Sequence, residues 1–246
     1  MSALRPFAVA IGFLTRVPVR TGAIQDAERA RSITCFPVVG LALGLVLAGA
    51  ERLAHGRLSL NLIAVGLVGL LAGLTGGLHL DGLADVFDGL GGGRGDRERM
   101  LTIMRDSRIG SHGAAALTLL LTGKVIAVAE VLRYGAVWPL VTCFVAARWA
   151  VIPLVVFFPY ARSEGLGKAF NGHVRLSHFI GATCLAAACI GWVGCASIAP
   201  TASALAVVLA LGAWAHRRLG GLTGDVYGAA IELAELAFLV AAGRVV

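Results

Sequence analysis

The run WPLVTCFVAARWAVIPLVVFF, Trp138 to Phe158, is 21 residues long and holds a single charge, Arg148. At about 1.5 Å per residue a helix of that length reaches across the roughly 30 Å hydrocarbon core of a bilayer. Six further apolar runs lie near residues 35–53, 60–78, 114–132, 179–198, 202–215 and 227–242. The sixth of the seven, 202–215, is the shortest, pressed between Pro200 and the Arg217-Arg218 pair. The pattern predicts an all-α, polytopic integral membrane helix bundle of about seven transmembrane helices. The stretch Phe7–Leu14 is too short to span and carries no Ala-x-Ala cleavage site, so it reads as an additional N-terminal interfacial or re-entrant helix and not a signal peptide.

Working outward, the composition agrees. Of 246 residues 58% are hydrophobic and 14% charged, against about a quarter charged in a soluble domain. The 33 glycines suit helices that must approach closely where no hydrophobic effect drives them together. No repeat, low-complexity tract or soluble domain is visible, and residues 1–246 read as one membrane domain with polar loops at about 79–113, 159–178 and 216–226. The five cysteines (Cys35, Cys143, Cys184, Cys189 and Cys195) sit in apolar runs with no Cys-x-x-Cys pair and read as small core residues.

A net charge of +7 suggests nucleic acid at first, but its distribution reports topology. With the N-terminus inside, the cytoplasmic set holds fifteen Lys and Arg, including Arg162, Lys168 and Arg175. The other side holds four (Arg52, Arg57, Arg133, Arg244), and Lys124 and Arg148 fall within spans. An N-in, C-out arrangement follows, and the net charge needs no nucleic-acid partner. Ten of the fourteen acids share the cytoplasmic face, so charge of both signs gathers where an active surface would need it.

The longest polar stretch contains His79-Leu80-Asp81-Gly82-Leu83-Ala84-Asp85-Val86-Phe87-Asp88-Gly89. Asp81, Asp85 and Asp88 stand at i, i+4 and i+7, one face of a helix. Three converging carboxylates repel unless a cation lies between them, and Mg²⁺ binds through a few carboxylates together with substrate phosphates. A solvated helix end would interleave Lys or Arg; here the intervening residues are Gly, Leu, Ala, Val and Phe. Next come Gly91-Gly92-Gly93-Arg94-Gly95 and Met104-Arg105-Asp106-Ser107-Arg108-Ile109-Gly110-Ser111-His112. Glycines allow close backbone approach and arginines clamp phosphates, a pairing suited to a pyrophosphate. A third element, Gly220-Gly221-Leu222-Thr223-Gly224-Asp225, continues to Glu232 and Glu235. Ionisable groups inside a span default to a functional reading, yet Glu232 pairing with Lys124 or Arg148 accounts for it equally well.

Gly77–Asp85 with Asp88-Gly89, Met104–Gly110, Gly224-Asp225-x-x-Gly228-Ala229 with Glu232, the opening Phe13-Leu14-Thr15-Arg16-Val17-Pro18-Val19 and Phe36-Pro37-Val38-Val39-Gly40 together resemble the cobalamin 5'-phosphate synthase (adenosylcobinamide-GDP ribazoletransferase) family. The resemblance covers most of the chain. It implies a Mg²⁺-dependent phosphotransferase late in vitamin B12 synthesis, in which α-ribazole or its 5'-phosphate attacks the pyrophosphate of adenosylcobinamide-GDP and GMP is released. Asp81, Asp85, Asp88, Asp225 and Glu232 would then hold metal. Asp88 is the first candidate for general base and Asp106 the second, with Arg105 beside them. Arg94 and Arg108 would neutralise phosphate, His79 and His112 would donate to it, and Arg16, Ser107 and Thr223, in or beside the same runs, join the substrate-binding set. The implied partners are the two substrates, the lipid bilayer and other membrane-associated corrinoid-pathway enzymes, with a homo-oligomer left open.

Two other readings compete. The acids also resemble the logic of CDP-alcohol phosphotransferases, but Asp85 stands where that signature has Arg and the acids are closer together. A transporter is favoured by Lys124, Glu130, Arg148, Glu232 and Glu235 within or beside spans, and disfavoured by the absence of paired halves.

Overall fold

The structure, a computed structural model, describes residues 4–162, 164, 170 and 173–245; Lys168 lies outside them. Among these residues the elements are helices, with one isolated parallel bridge between Tyr160 and Leu222. The helices are α1 (Arg5–Leu14), α2 (Asp26–Ser32), α3 (Phe36–Ala54), α4 (Leu60–Thr75), α5 (Leu78–Gly92) and α6 (Arg97–Ile103), then α7 (Ser111–Arg133), α8 (Trp138–Ala150), α9 (Ile152–Phe157), α10 (Leu176–Ile190), α11 (Ile198–Leu219) and α12 (Gly224–Ala242).

The all-α membrane architecture holds; the count of about seven spans is not confirmed, since length and composition alone give four to five among the described residues. Four stretches, 26–54, 111–133, 138–157 and 176–219, are long and apolar enough to cross a bilayer, and α4 with α5 makes a fifth if the bent pair is one span. Three local features separate the two counts. The run at 60–78 stops at Thr75 because Gly76 (φ +62°) and Gly77 (φ +69°) are left-handed, and α5 leaves at 90° to α4. The runs at 179–198 and 202–215 belong to one 44-residue stretch, interrupted by a 3₁₀ segment at Gly191–Ser197 in which Gly194 has φ +71°. The run at 227–242 falls in α12, which carries Asp225, Glu232 and Glu235 and is buried among other helices. α1 is ten residues, apolar and too short to cross, as expected.

α12 is the axis of the bundle, packed by α5, α7, α8 and α11, and its apolar residues from Val226 to Ala242 are mostly buried. α3 packs on α8 through Gly40 and Gly44, four residues apart. A Cβ on Gly44 would lie 2.6 Å from the Val141 carbonyl oxygen, and one on Gly40 would overlap that of Phe144. Small residues at this spacing bring helix backbones together in lipid. The cysteines are all free; Cys143 is core, whereas Cys184 and Cys195 lie on the outer surface, contrary to the core reading.

Candidate active site

A tight crossing of α5 over α12 builds the site. A Cβ on Gly82 would lie 2.8 Å from the Asp225 carbonyl oxygen and 3.0 Å from its Cα, and one on Gly228 would lie 3.2 Å from the His79 Cα. Glycine on both helices therefore lets the backbones meet, and the acids of α5 arrive beside Asp225. The charges acting on Asp85 are those of Asp225, Asp81, Arg162 and Asp88. Between the helices lies a cavity of about 170 Å³ lined by Asp81, Asp225, His79, Arg162, Tyr160 and Tyr227, among others. Asp81 is exposed at its rim, and Asp85 and Asp225 are half-buried.

Each side chain here has a local reason for its position. Thr223 caps α12: its Oγ1 accepts from the Val226 amide at 3.4 Å and donates to Asp225 Oδ2 at 3.2 Å. Arg162 Nη2 pairs with Asp225 Oδ2 at 2.7 Å. It is delivered there by a backbone bridge, the Leu222 amide donating to Pro159 O and the Ala161 amide to Leu222 O, both at 2.8 Å. Gly221 is required at that bridge, since a Cβ would lie 2.8 Å from the Ala161 nitrogen. Arg97 then ties the bridge down, Nε donating to Leu219 O at 2.7 Å and Nη2 to Ala161 O at 3.2 Å. His79 is 3% exposed on the cavity wall, and its Nδ1 has no hydrogen-bond partner among the described residues.

Deeper in the bundle is a closed ionic quartet. Lys124 Nζ meets Glu232 Oε2 at 2.5 Å and also contacts Glu235, and Glu235 in turn contacts Arg148. Two cations and two carboxylates cancel where an unpaired charge would be very costly. Glu232 is paired with Lys124 and does not line the cleft, the alternative that the sequence offered beside a place in a metal shell. Glu130 pairs with Arg133 at 3.2 Å, so the groups that favoured an ion path neutralise one another.

Comparison with known proteins now bears on this cleft. Residues 6–243 match the family model described as Cobalamin-5-phosphate synthase. The chain belongs to that family. Relatives named adenosylcobinamide-GDP ribazoletransferase include those of Syntrophobacter fumaroxidans, 41% identical over 96% of this chain and 97% of the relative, and Pseudomonas aeruginosa strain UCBPP-PA14, 42% identical over 97% and 98%. The relative from Citrobacter koseri is 40% identical over 96% and 98%. No solved structure matches the chain. As a member of the cobalamin-5-phosphate synthase family the protein is a transferase of cobalamin biosynthesis.

Within this family member the expected site residues divide. His79, Asp81, Asp225 and Thr223 build or line the cleft, and Asp85 sits among its charges. Asp88 does not join them. Its Oδ2 accepts from the Gly110 amide at 2.7 Å and its Oδ1 from the Gly113 amide at 2.8 Å, so the buried carboxylate holds the start of α7 onto α5. The helical stripe is real, but Asp88 stands about 10 Å along the axis from Asp81, where α7 supplies amides that must be satisfied. Asp88, expected as metal ligand and base, is thus held by two backbone amides and lies outside the cleft in this structure.

Arg108, Asp106 and His112 border a separate open recess of about 440 Å³ at the start of α7. Arg108 Nη2 donates to Asp106 Oδ2 at 2.7 Å, Arg108 Nε to Oδ1 at 3.0 Å and the Arg108 amide to the same Oδ1 at 3.0 Å. That clamp pulls the Asp106 carboxyl down to about 2, leaving a poor proton acceptor. Arg94, Arg105 and Ser107 are exposed and line neither cavity. The glycines before Arg94 serve packing more than ligand approach: Gly89 faces Met104, Gly91 lies under the His112 ring and Gly93 meets Met100. Arg16 lies in a third cavity beneath α1. A further cavity, about 500 Å³ between α8, α10 and α11, is apolar and is lined by none of the acids.

From the sequence Arg162 reads only as a basic loop residue, and neither Tyr160 nor Tyr227 stands out as a site residue. No local pattern announces Arg162, because its role depends on a bridge between segments 60 residues apart. Gly82 and Gly228 carry a signal, since Gly82 directly follows Asp81 and Gly228 stands three residues after Asp225 within the runs quoted above.

Proposed function

We propose that this chain joins α-ribazole, or its 5'-phosphate, to adenosylcobinamide-GDP and releases GMP at the α5–α12 cleft. A ribose hydroxyl forms a bond to the corrinoid-side phosphorus of the pyrophosphate, the bond from that phosphorus to the oxygen of the leaving GMP breaks, and the hydroxyl proton passes to a carboxylate. Such a transfer asks for positioning, charge neutralisation and an in-line path more than for covalent chemistry from the protein.

The donor set suits Mg²⁺. Asp85, whose strongest charged neighbour is Asp225, would hold the ion together with Asp225, the pyrophosphate oxygens completing its shell. Among the described residues no three His, Cys, Asp or Glu groups form a ready metal cage, so the substrate phosphates would have to supply the remaining ligands. When bound, Mg²⁺ supplies charge neutralisation for the leaving GMP. Arg162 would exchange Asp225 for a phosphate oxygen, a bidentate partner its guanidinium suits. Asp88 and Asp106 are occupied, by two amides and by Arg108. Asp81, at the rim and accepting no hydrogen bond from the described residues, takes the hydroxyl proton instead of joining the metal set. The chain would sit in the cytoplasmic membrane with this cleft on the inner face, where fifteen of its basic residues gather.

The close crossing of α5 and α12 carries this reading, because it alone brings acids from distant runs together. It is tested by GMP release from purified, folded Asp85→Asn and Asp225→Asn across a Mg²⁺ series. Losses of more than about tenfold with a raised Mg²⁺ requirement are expected. Wild-type rates in both variants would overturn the metal assignment.

A further inference from the structure

Two buried side chains, one in the ionic quartet and one on the cleft wall, have hydrogen-bonding capacity to spare. Arg148 is 0% exposed, and its Nη1 contacts Glu235. The Phe144 ring packs on the guanidinium, 5.6 Å from Cζ to the ring centroid, and holds it in one orientation. Its Nε and Nη2 are buried and have no hydrogen-bond partner among the described residues. Those two N–H groups form one edge of the guanidinium fork, which meets a single acceptor side-on. The second side chain is His79, whose Nδ1 is also buried and without a partner. His79 reaches the quartet along one face of α12: its backbone lies on Gly228, and Glu232 and Glu235 follow four and seven residues on. The charges acting on it are those of Arg148, Glu235 and Lys124, Arg148 foremost.

We propose that the free edge of Arg148 holds a buried water that donates to His79 Nδ1, which leaves Nε2–H as a neutral donor facing a phosphate oxygen in the cleft. Arg148 is thereby a positioning residue for the transfer, and the inference rests on the transferase reading above. Buried polar groups are paired as a rule, and an internal water commonly supplies the pair. A water that accepts from both Nε and Nη2 has used both lone pairs and has only its own hydrogens left to offer, so Nδ1 must accept. The ring proton then sits on Nε2, because the bond made by one ring nitrogen sets the state of the other. His79 lines the cavity, so Nε2 is the nitrogen that a ligand there meets. An anion in the fork would bring no hydrogen for Nδ1 and would upset a quartet that is already neutral. A cationic ring would pair with the carboxylates around it; a neutral donor serves the phosphate alone.

Two measurements decide it. The ring nitrogens of the six histidines are read by nitrogen NMR of isotope-labelled protein in nanodiscs, with His79 assigned by its loss in His79→Gln. In wild type Nδ1 should show the shift of an unprotonated, hydrogen-bonded nitrogen and Nε2 that of a protonated one. In Arg148→Lys, which keeps a cation on Glu235 but removes the fork, the two tautomers should mix. The second measurement is a double-mutant cycle in GMP release. In His79→Gln the amide nitrogen stands in for Nε2 and carries its hydrogens whatever lies behind it. Arg148→Lys should therefore lower kcat about tenfold in the His79 protein, the effect of one hydrogen bond to a charged group, and by about twofold or less in His79→Gln. If Arg148→Lys fails to fold, Glu235→Gln with Arg148→Met takes its place, since the Lys124–Glu232 pair stays balanced; the spectra decide alone where a variant is inactive. A wild-type Nδ1–H tautomer, a spectrum unchanged by loss of the fork, or equal kcat losses in both backgrounds would overturn the positioning role. Absence of GMP release from wild type would instead overturn the transferase reading, with the spectra still deciding the tautomer.

Discussion

Replacing Gly82 by Ala tests the crossing that makes the site. The new Cβ would lie 2.8 Å from the Asp225 carbonyl oxygen, 3.0 Å from its Cα and 3.3 Å from its carbonyl carbon, whereas ordinary contact begins at 3.4 Å. All three atoms are backbone, so no rotamer relieves the clash and α12 must retreat from α5 by about 0.6 Å. Overpacking of this kind costs about 1–3 kcal/mol. It also separates Asp81 and Asp85 from Asp225. Since a 1 Å misplacement at a reacting centre costs on the order of a hundredfold, kcat should fall roughly tenfold beyond any loss of folded protein. The assay is GMP release per folded molecule in detergent, with thermal unfolding followed in parallel. Gly66→Ala, whose Cβ meets nothing within 4 Å, is the control for glycine replacement in a neighbouring helix. A Gly82→Ala protein that is fully active per folded molecule would refute the claim that helix spacing sets the acid cluster.

Two further predictions follow from side chains the structure reassigns. Glu235→Gln leaves Lys124 and Arg148 facing a single carboxylate and should cost about 3–5 kcal/mol, with Arg148→Met in the same chain recovering most of the loss; thermal unfolding decides, and a neutral single variant would mean the quartet is not formed. Asp88→Ala orphans the Gly110 and Gly113 amides and should destabilise the α5–α7 junction by about 1–3 kcal/mol, while Asp88→Asn leaves the Mg²⁺ concentration for half-maximal activity unchanged. A Mg²⁺ requirement that rises in Asp88→Asn would return Asp88 to the metal set.

How much was legible in the sequence depends on the range over which each feature is determined. Apolar length and the scarcity of charge establish a helical membrane protein, because a bilayer requires backbone hydrogen bonds to be satisfied within each segment. The runs around Asp81, Asp106 and Asp225 point to phosphate chemistry, because carboxylates, glycines and arginines at helical spacing are local facts. The number of spans is less local. Whether Gly76-Gly77 turns the chain, whether Gly194 interrupts a helix and whether α12 sits among other helices depend on what packs around them.

The division is sharpest among the acids. Asp85, Asp88, Asp225 and Glu232 look alike in the sequence, each an acid near an apolar run. Tertiary contacts send Asp88 to the amides of α7, Glu232 to Lys124, and Asp225 to a cleft with Arg162, a residue with no motif of its own, while Asp85 stands among the charges around it. By itself the sequence determined which chemistry the chain carries, since residue types and spacing are written along it. Only the tertiary structure decided which of those residues meet, because an unpaired charge or amide away from water is costly and its partner is chosen by proximity in space.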